Sequence, residues 1–247
     1  MYTLSIGAIF KNEAHCMKEW LEHYLLHGVQ HFYLINDGST DNFIEILQPY
    51  IDKNIVTLYN GTWEMVHYRQ CLQYNHYFKP HLKETKWLLI CDFDEFMWSP
   101  KSINLNDILD TCDAFVQVLV LNTIYGSNGH IEQPKSIVAG FTKRGPEPTH
   151  NPGMKKYFIR SDCEWNTLGV HHAVPANEAD WARCVLLGPE YFVLNHYSCQ
   201  SVSFWRDVKC TRGDSNNYRV RTMEDMKELD LNDMEDTRLL EQNRPIL

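Results

Sequence analysis

Three acidic side chains stand close together at the end of an apolar run in this chain. The segment WLLICDFDEFMW, residues 87–98, has the pattern of a buried strand up to Cys91 and then carries Asp92, Asp94 and Glu95. On an extended segment, residues i and i+2 point the same way, and two carboxylates about 4 Å apart repel by roughly 4 kcal/mol at an effective dielectric of about 20. A divalent cation would turn that repulsion into attraction.

The position of these acids favours a ligand site. Ligands of open parallel α/β sheets bind at the carboxyl ends of the strands, and Phe93 and Phe96 are expected to anchor the segment in the core. Oxygen ligands suit Mg²⁺ or Mn²⁺ shared with a diphosphate better than they suit a structural zinc. The alternative, in which Asp92 or Asp94 only caps the following turn, stays open because D-x-D is a short pattern.

The overall composition excludes some classes of partner. The 247 residues include 23 Lys and Arg against 32 Asp and Glu, a net charge of −9, and 44% are hydrophobic. A chain this acidic does not present a general surface for nucleic acid or anionic membranes. Eight cysteines without a C-x-x-C pair are typical of reduced core thiols. The sequence shows no signal peptide and no run long enough to span a membrane, so we expect a cytoplasmic protein.

The first half of the chain has the pattern of βαβ units. Strand-like segments YTLSIGAIF, QHFYLIND, NIVTLYN and KWLLICDF alternate with helical patterns over 14–28, through Leu47, and over 64–82. This spacing predicts an α/β fold with a parallel sheet and right-handed crossovers.

The second half is less regular. Strands are predicted at AFVQVLVLN, KKYFIRS and YFVLNHY. A region rich in Gly, Pro and Asn, residues 126–153, is interpreted as a long functional loop because apolar strands resume after it. The acidic segment MEDMKELDLNDMEDTRLLEQ predicts a solvated surface helix.

Four motifs in order resemble a known family. FKNEAHCMKEWLEHYLLHGVQHFYLINDGSTDN, WLLICDFDEF, YGSNGH and LNHYSCQSVSFWRDVKCTRGD together resemble the glycosyltransferases of family 92 and the family 2-like group, over residues 4 to about 215. The resemblance implies the GT-A fold, with a Rossmann-like, mostly parallel central sheet flanked by helices and a smaller mixed acceptor region. It implies a single domain with a nucleotide-binding half over about 1–100, an acceptor half over about 101–222, and an acidic C-terminal helix over 223–247.

The resemblance also implies a nucleotide-sugar donor whose diphosphate is held by Mn²⁺ or Mg²⁺. Asp92 and Asp94 match the D-x-D motif of the family, and His196 in LNHY matches a histidine that can complete the metal shell. Without the motif, a lone histidine is more often a satisfied core residue. Lys209 and Arg212 match a K-x-x-R-G pattern and could offset the charge of the leaving diphosphate, although a solvated basic turn is the alternative.

A second group of matching residues lies in the first half of the chain. Asp37 in NDGSTD matches an acid that helps to hold the nucleoside, since a carboxylate at a strand end accepts hydrogen bonds from a base or a ribose. An ordinary Asx-turn at the following glycine is the alternative. Asn12 and Glu13 lie in the loop after the first strand, and Arg69 and Gln70 resemble family positions near the donor pyrophosphate or sugar.

The resemblance implies a metal-dependent glycosyltransferase that moves a sugar, from a UDP-hexose such as UDP-galactose, to a glycan hydroxyl with inversion. Inversion requires a general base, for which Asp180 and His130 are the candidates, and the loop GDSNN at 213–217 could close over the donor. A sugar nucleotidyltransferase would need a Gly-rich basic loop after the first strand, which IGAIFKNE lacks. A catalytically inactive, carbohydrate-binding GT-A domain remains an alternative.

Overall fold

The computed structural model describes residues 1–61, 63–64, 66–146, 148, 154–212 and 219–247. In these residues the strands are β1 Tyr2–Phe10, β2 His31–Asn36, β3 Val56–Asn60, β4 Thr85–Ile90, β5 Glu95–Trp98, β6 Gln117–Ile124, β7 Lys143–Arg144, β8 Lys155–Arg160, β9 Trp165–Leu168, β10 Ala173–Pro175, β11 Cys184–Leu187, β12 Val193–His196 and β13 Met234–Glu235. The α-helices are α1 Ala14–Leu26, α2 Phe43–Asp52, α3 Arg69–Tyr77, α4 Leu105–Leu109, α5 Ile137–Gly140, α6 Val202–Phe204, α7 Met223–Leu229 and α8 Arg238–Asn243. Short 3₁₀ segments lie at Lys79–Glu84, Asp110–Cys112, Glu178–Arg183 and Arg244–Ile246, and a π-helical segment lies at Trp205–Lys209.

Nine of these strands form one mixed sheet. Its order is β3-β2-β1-β4-β8-β6-β12-β5, and β11 pairs with β6. The pairs β3–β2, β2–β1, β1–β4, β6–β12 and β6–β11 are parallel, whereas β8 runs antiparallel to β4 and β6, and β5 antiparallel to β12. The predicted α/β fold with a mostly parallel central sheet is confirmed. The carboxyl ends of β1, β2, β4 and β6 lie at the same edge of this sheet.

Helices cover both faces of the sheet, and β1 shows why its sequence is almost continuously apolar. Leu4, Ile6 and Ala8 belong to the core cluster that contains the buried face of α1, whereas Ile9 belongs to the cluster that contains α3. Gly7 also faces α3, because a Cβ at Gly7 would lie 2.8 Å from the ring of Phe78, the residue that follows this helix. A strand buried on both faces has no polar alternation.

Two helices differ from the predicted bounds. The predicted helix over 64–82 begins only at Arg69, because Tyr68 has a left-handed backbone with φ of 60°, and it changes to 3₁₀ geometry after Phe78. The second helix continues past Leu47 to Asp52, because Tyr50 and Ile51 also pack against the core.

The C-terminal segment is not the single solvated helix that its acidic composition predicts. It forms α7, β13 and α8, and Leu239 is buried in the main core. Asn243 is completely buried, and its side-chain amide lies 3.0 Å from Nδ1 of His23 and 3.0 Å from Nε2 of His27. Acidic composition alone does not reveal these few inward-facing residues, which fasten the segment to α1.

The same segment also binds the loop YGSNGH. The carboxylate of Asp230 accepts hydrogen bonds from the backbone N–H and the hydroxyl of Ser127, and Asn232 accepts one from the backbone N–H of Asn128. A Cβ at Gly126 would lie 2.5 Å from the carbonyl oxygen of Leu231, so only glycine fits at this position. Much of this motif therefore serves to hold the C-terminal segment.

The helices of the described residues are all short or polar by the standard of a membrane span. None combines the length and the apolar composition that crossing a bilayer requires.

The buried histidines of α1 predict how stability depends on pH. Burial, with a contribution from His27, lowers the pKa of His23 well below the ordinary 6.5, and burial also lowers the pKa of His27. The unfolded chain therefore binds protons that the folded chain does not. The contribution of these two histidines to the free energy of unfolding should be fully present above pH 6.5. Below that pH it should fall by up to about 1.4 kcal/mol per pH unit for each histidine.

Urea unfolding at a series of pH values between about 7.5 and about 5.5 measures this slope. The variant His23→Gln should show a shallower slope than the wild type, whereas His67→Gln, at an exposed position, should keep the wild-type slope. Equal slopes for wild type and His23→Gln would contradict the assignment.

Candidate active site

The three acids lie on a turn, not on an extended strand as their spacing suggested. β4 ends at Ile90, and the chain reverses direction before β5 begins at Glu95. Two hydrogen bonds close the turn: the backbone N–H of Glu95 donates to the carbonyl of Asp92 at 3.1 Å, and the backbone N–H of Asp92 donates to Oε2 of Glu95 at 2.9 Å. Glu95 is only 2% exposed, so it is the residue that shapes the turn.

Helix α1 holds this turn from behind. The indole N–H of Trp20 donates to the carbonyl oxygens of both Asp92 and Glu95 at 3.0 Å, and the hydroxyl of Tyr24 donates to the carbonyl of Glu95 at 3.0 Å. The ring of Phe93 stacks on Trp20, with 4.3 Å between centroids. As the sequence predicted, Phe93 and Phe96 are buried, and the acids stand on core-anchored backbone.

Strand pairing brings His196 to the turn. β12 is antiparallel to β5, and this register sets His196 directly opposite Glu95. Nε2 of His196 lies 3.6 Å from Oδ1 of Asp94, and Nδ1 lies 2.8 Å from the side-chain amide of Asn122 on β6. The structure thus joins His196 to the D-x-D pair across about a hundred residues of sequence.

Two neighbouring groups favour the ionised form of Asp94. Burial alone would raise its pKa, but Lys209 and His196 outweigh burial and hold the pKa of Asp94 well below its usual range. Nζ of Lys209 lies 3.1 Å from Oδ2 of Asp94. Burial lowers the pKa of His196, whereas Asp94 raises it. The net effect is a raised pKa. The C-terminal half therefore supplies both cationic partners of this carboxylate.

A further cation at the site, Lys156 on β8, was not anticipated from the sequence. Its Nζ lies 2.6 Å from Oδ2 of Asp92 and 3.5 Å from Oε2 of Glu95, and its side chain is 1% exposed. Burial would lower the pKa of Lys156, but Asp92 and Glu95 raise it well above its usual range. The only sequence signal was a lysine within a strand that is otherwise buried, which marks an ion pair without naming its partner.

Asp37, the acid predicted to help hold the nucleoside, forms an ion pair with Arg69, which was predicted to lie near the donor. Arg69, at the start of α3, donates through two guanidinium nitrogens to the two carboxylate oxygens of Asp37, and both side chains are buried. The side chain that bridges this loop is that of Asn36 instead, whose Oδ1 accepts from the backbone N–H of Ser39. Gln70, also buried, donates to the hydroxyl of Tyr74.

The loop after β1 is tied to two other segments. Asn12 has a left-handed backbone with φ of 56°, and its Oδ1 accepts from the backbone N–H of Thr40. Glu13 accepts a hydrogen bond from Arg212 at 2.6 Å, and Arg212 also donates to the carbonyl of Lys11. Lys209 and Arg212 are therefore ion-paired residues of the site and not a solvated basic turn. The loop 213–217 lies outside the described residues.

The structure places the two candidates for the general base at opposite ends of the sheet. Asp180 lies in the 3₁₀ segment before β11, at the opposite end of the sheet from the acidic turn, where it pairs with Arg183 at 3.0 Å. It is there because β11 runs parallel to β6 and begins beside Gln117, the first residue of β6. His130 follows β6 at the correct end, but its Nε2 lies 2.9 Å from the carbonyl of Gly140 and is used in holding the loop.

The turn has the ligand chemistry that Mg²⁺ or Mn²⁺ requires. Oδ1 of Asp92 is buried and has no hydrogen-bond partner among the described residues, while Asp94 is strongly ionised. Oδ1 of Asn122 also lacks a partner there, and turning this amide by 180° would let it accept from Nδ1 of His196, leaving Nε2 as a ligand. Carboxylate oxygens are ligands that suit Mg²⁺ and Mn²⁺.

The family of the chain follows from its sequence match. The model of glycosyltransferase family 92 matches residues 1–240, and the chain belongs to this family. Curated relatives include a family 92 glycosyltransferase from Oryza sativa subsp. japonica, 22% identical over 83% of this chain and 35% of the relative. A second, from Ricinus communis, is 22% identical over 81% of this chain and 36% of the relative. The chain thus spans about a third of the length of the curated relatives it matches.

Solved structures resemble the chain more distantly. S. aureus TarS 1–349 in complex with UDP-GlcNAc aligns at 15% identity and a TM-score of 0.44 over 99% of this chain and 73% of TarS. HddC from Yersinia pseudotuberculosis aligns at 12% identity and a TM-score of 0.41 over 78% of this chain and 92% of HddC. Likeness at this level does not support a family assignment, which therefore rests on the sequence match.

The hydrogen bonds from Trp20 should be measurable as stability. In Trp20→Phe, the carbonyl of Asp92 loses its indole donor, so we expect the free energy of unfolding to fall by about 1–3 kcal/mol beyond the cost of the smaller ring. Trp87→Phe is a matched control, because Trp87 is equally buried and its indole N–H has no partner among the described residues. Urea unfolding of both variants gives the difference, and equal losses would contradict the assigned role.

Proposed function

We propose that this chain is a metal-dependent glycosyltransferase that moves a sugar from a nucleotide-sugar donor, a UDP-hexose such as UDP-galactose, to a glycan hydroxyl with inversion. The observation that carries the proposal is that His196 lies 3.6 Å from Asp94, on the turn that also carries Asp92, in a chain of glycosyltransferase family 92. Oxygen and imidazole ligands converge there beside Lys209, a cation that is able to meet a phosphate.

The leaving group sets the chemical problem at this site. When the bond from the sugar to the diphosphate breaks, negative charge grows on the diphosphate. A bound divalent cation would supply Lewis acidity there. Asp92, Asp94 and His196 would hold that cation. Lys209 and Arg212 are positioned by Asp94 and Glu13, and a lysine point charge and an arginine fork are the groups that stabilise phosphates.

The nucleoside is proposed to bind near Asp37 and Arg69. Asp37 follows β2, and Arg69 begins α3. The carboxyl end of β2 lies at the same sheet edge as the acidic turn. The bidentate contact with Arg69 fixes the orientation of the Asp37 carboxylate. A fixed carboxylate can accept hydrogen bonds from a ribose or a base with little loss of side-chain entropy.

For the general base we propose His171 in place of Asp180. His171 lies at the tip of the β9–β10 hairpin, where its Nδ1 is 3.1 Å from the carbonyl of Lys155 and the neighbouring Val170 carbonyl is 3.4 Å from Nζ of Lys156. This tip is therefore beside the acidic turn. Burial lowers the pKa of His171, which keeps the imidazole neutral near pH 7 and able to accept a proton.

The metal and donor proposals are tested with a panel of nucleotide sugars. Wild-type protein should show slow donor hydrolysis and thermal stabilisation that depend on Mn²⁺. Asp94→Ala should lose at least about a hundredfold in the rate, because the cation and Lys209 lose their shared carboxylate. Asp110→Ala, at an exposed aspartate paired with Lys86, is the control and should behave as wild type.

If no donor is bound in a Mn²⁺-dependent way, or if Asp94→Ala equals wild type, the proposal fails. Tight donor binding without turnover would instead favour a carbohydrate-binding domain that has lost catalysis.

The base is tested with two substitutions, once a donor and acceptor are known. His171→Gln should lower kcat about a hundredfold with little change in KM, whereas Asp180→Asn should stay within about twofold of wild type. Donor binding, followed by thermal shift, should be equal in both. The reverse pattern of rates would return the role to Asp180.

A further inference from the structure

Each aspartate of the D-x-D pair already has its own lysine. Lys156 contacts Asp92 at 2.6 Å, and Lys209 contacts Asp94 at 3.1 Å. A bare divalent cation that approaches this pair meets two carboxylates whose charge is already balanced. Charge balance of this kind weakens the attraction that two free carboxylates would exert.

The two lysines differ in their freedom to move. Lys209 is 16% exposed, and it lies at the end of the short π-helical segment that follows α6. Lys156 is 1% exposed, and its ammonium has three acceptors within reach: Oδ2 of Asp92, Oε2 of Glu95 at 3.5 Å and the carbonyl of Val170 at 3.4 Å. Lys209 can therefore leave its aspartate for a phosphate, whereas Lys156 stays in place.

We propose that Lys156 makes the binding of a divalent cation at this site conditional on the diphosphate of the donor. Because its charge is fixed beside Asp92, a cation alone is attracted only weakly. A diphosphate brings the negative charge that restores the attraction and draws Lys209 away from Asp94. Lys156 is thus a positioning residue that also sets the order of binding, and this inference rests on the function proposed above.

The test measures binding and not turnover. Mn²⁺ is titrated into the full chain with and without UDP as the probe, and free Mn²⁺ is followed by electron paramagnetic resonance. In the wild type, UDP should tighten Mn²⁺ binding at least about tenfold, a coupling of about 1.4 kcal/mol. In Lys156→Met, Mn²⁺ without UDP should bind at least about tenfold tighter than in the wild type, and the coupling to UDP should shrink.

Two further variants separate charge from structure. Lys156→Gln removes the charge but keeps a hydrogen-bond donor for Asp92. If Lys156→Met does not fold, Lys156→Gln takes its place, and the same change in Mn²⁺ binding is expected. Lys86→Met removes a lysine that pairs with Asp110 at 2.9 Å near the start of β4, away from the acidic turn, and should leave Mn²⁺ binding at wild-type strength. If neither Lys156 variant folds, wild-type Mn²⁺ binding that is independent of UDP would still overturn the inference.

Two results overturn the inference. One is wild-type Mn²⁺ binding that is independent of UDP, and the other is a folded Lys156 variant whose UDP-free Mn²⁺ affinity is unchanged or weaker. A purely structural role for Lys156 predicts the second result, because loss of packing does not strengthen a metal site. If a folded Lys156 variant binds Mn²⁺ without UDP no more tightly than the wild type does, while the wild type keeps its coupling to UDP, only this inference fails. If UDP does not bind, or binds independently of Mn²⁺, the proposed metal-dependent function fails with it.

Discussion

The site depends on one shared hydrogen-bond donor, the indole N–H of Trp20. It contacts the carbonyl oxygens of both Asp92 and Glu95, the two ends of the turn that carries the D-x-D pair. The turn reverses the chain so that β5 leaves the neighbourhood of β4 and pairs with β12 at the far end of the sheet order. That pairing sets His196 beside Asp94. The meeting of Asp94 and His196, from the two halves of the chain, thus follows from the geometry of residues 92–95.

Electrostatics at this turn are a balance and not a surplus of negative charge. Burial opposes ionisation of Asp94, and two cationic partners overcome it. Buried ion pairs of this kind add little to stability because desolvation offsets the attraction, but removing one partner is costly. The retention of Lys156 and Lys209 beside the acids therefore has its simplest explanation in binding, where a prearranged field is useful before any ligand arrives.

Sequence reasoning predicted the features that depend on local pattern. Alternating βαβ segments gave the strands of the sheet, and the acids were correctly placed where β4 ends. The sequence pattern did not predict how strands that are distant in the chain align with each other. The opposition of His196 to Glu95 depends on how β5 and β12 align, and nothing in LNHY states that register. Asp180 was named as a candidate base for the same reason. The sequence around Asp180 does not indicate the end of the sheet at which this residue lies.

Asn243 connects the last helix to the opening of the chain. Its contact with His23 spans 220 residues, and His23 shares helix α1 with Trp20, whose indole holds the acidic turn. Contacts this distant in sequence form late, because the entropy of closing the intervening chain must be overcome first. During synthesis, α1 would lack this partner until residues 1–243 had left the ribosome. The acidic turn would lack the full support of α1 until the same point.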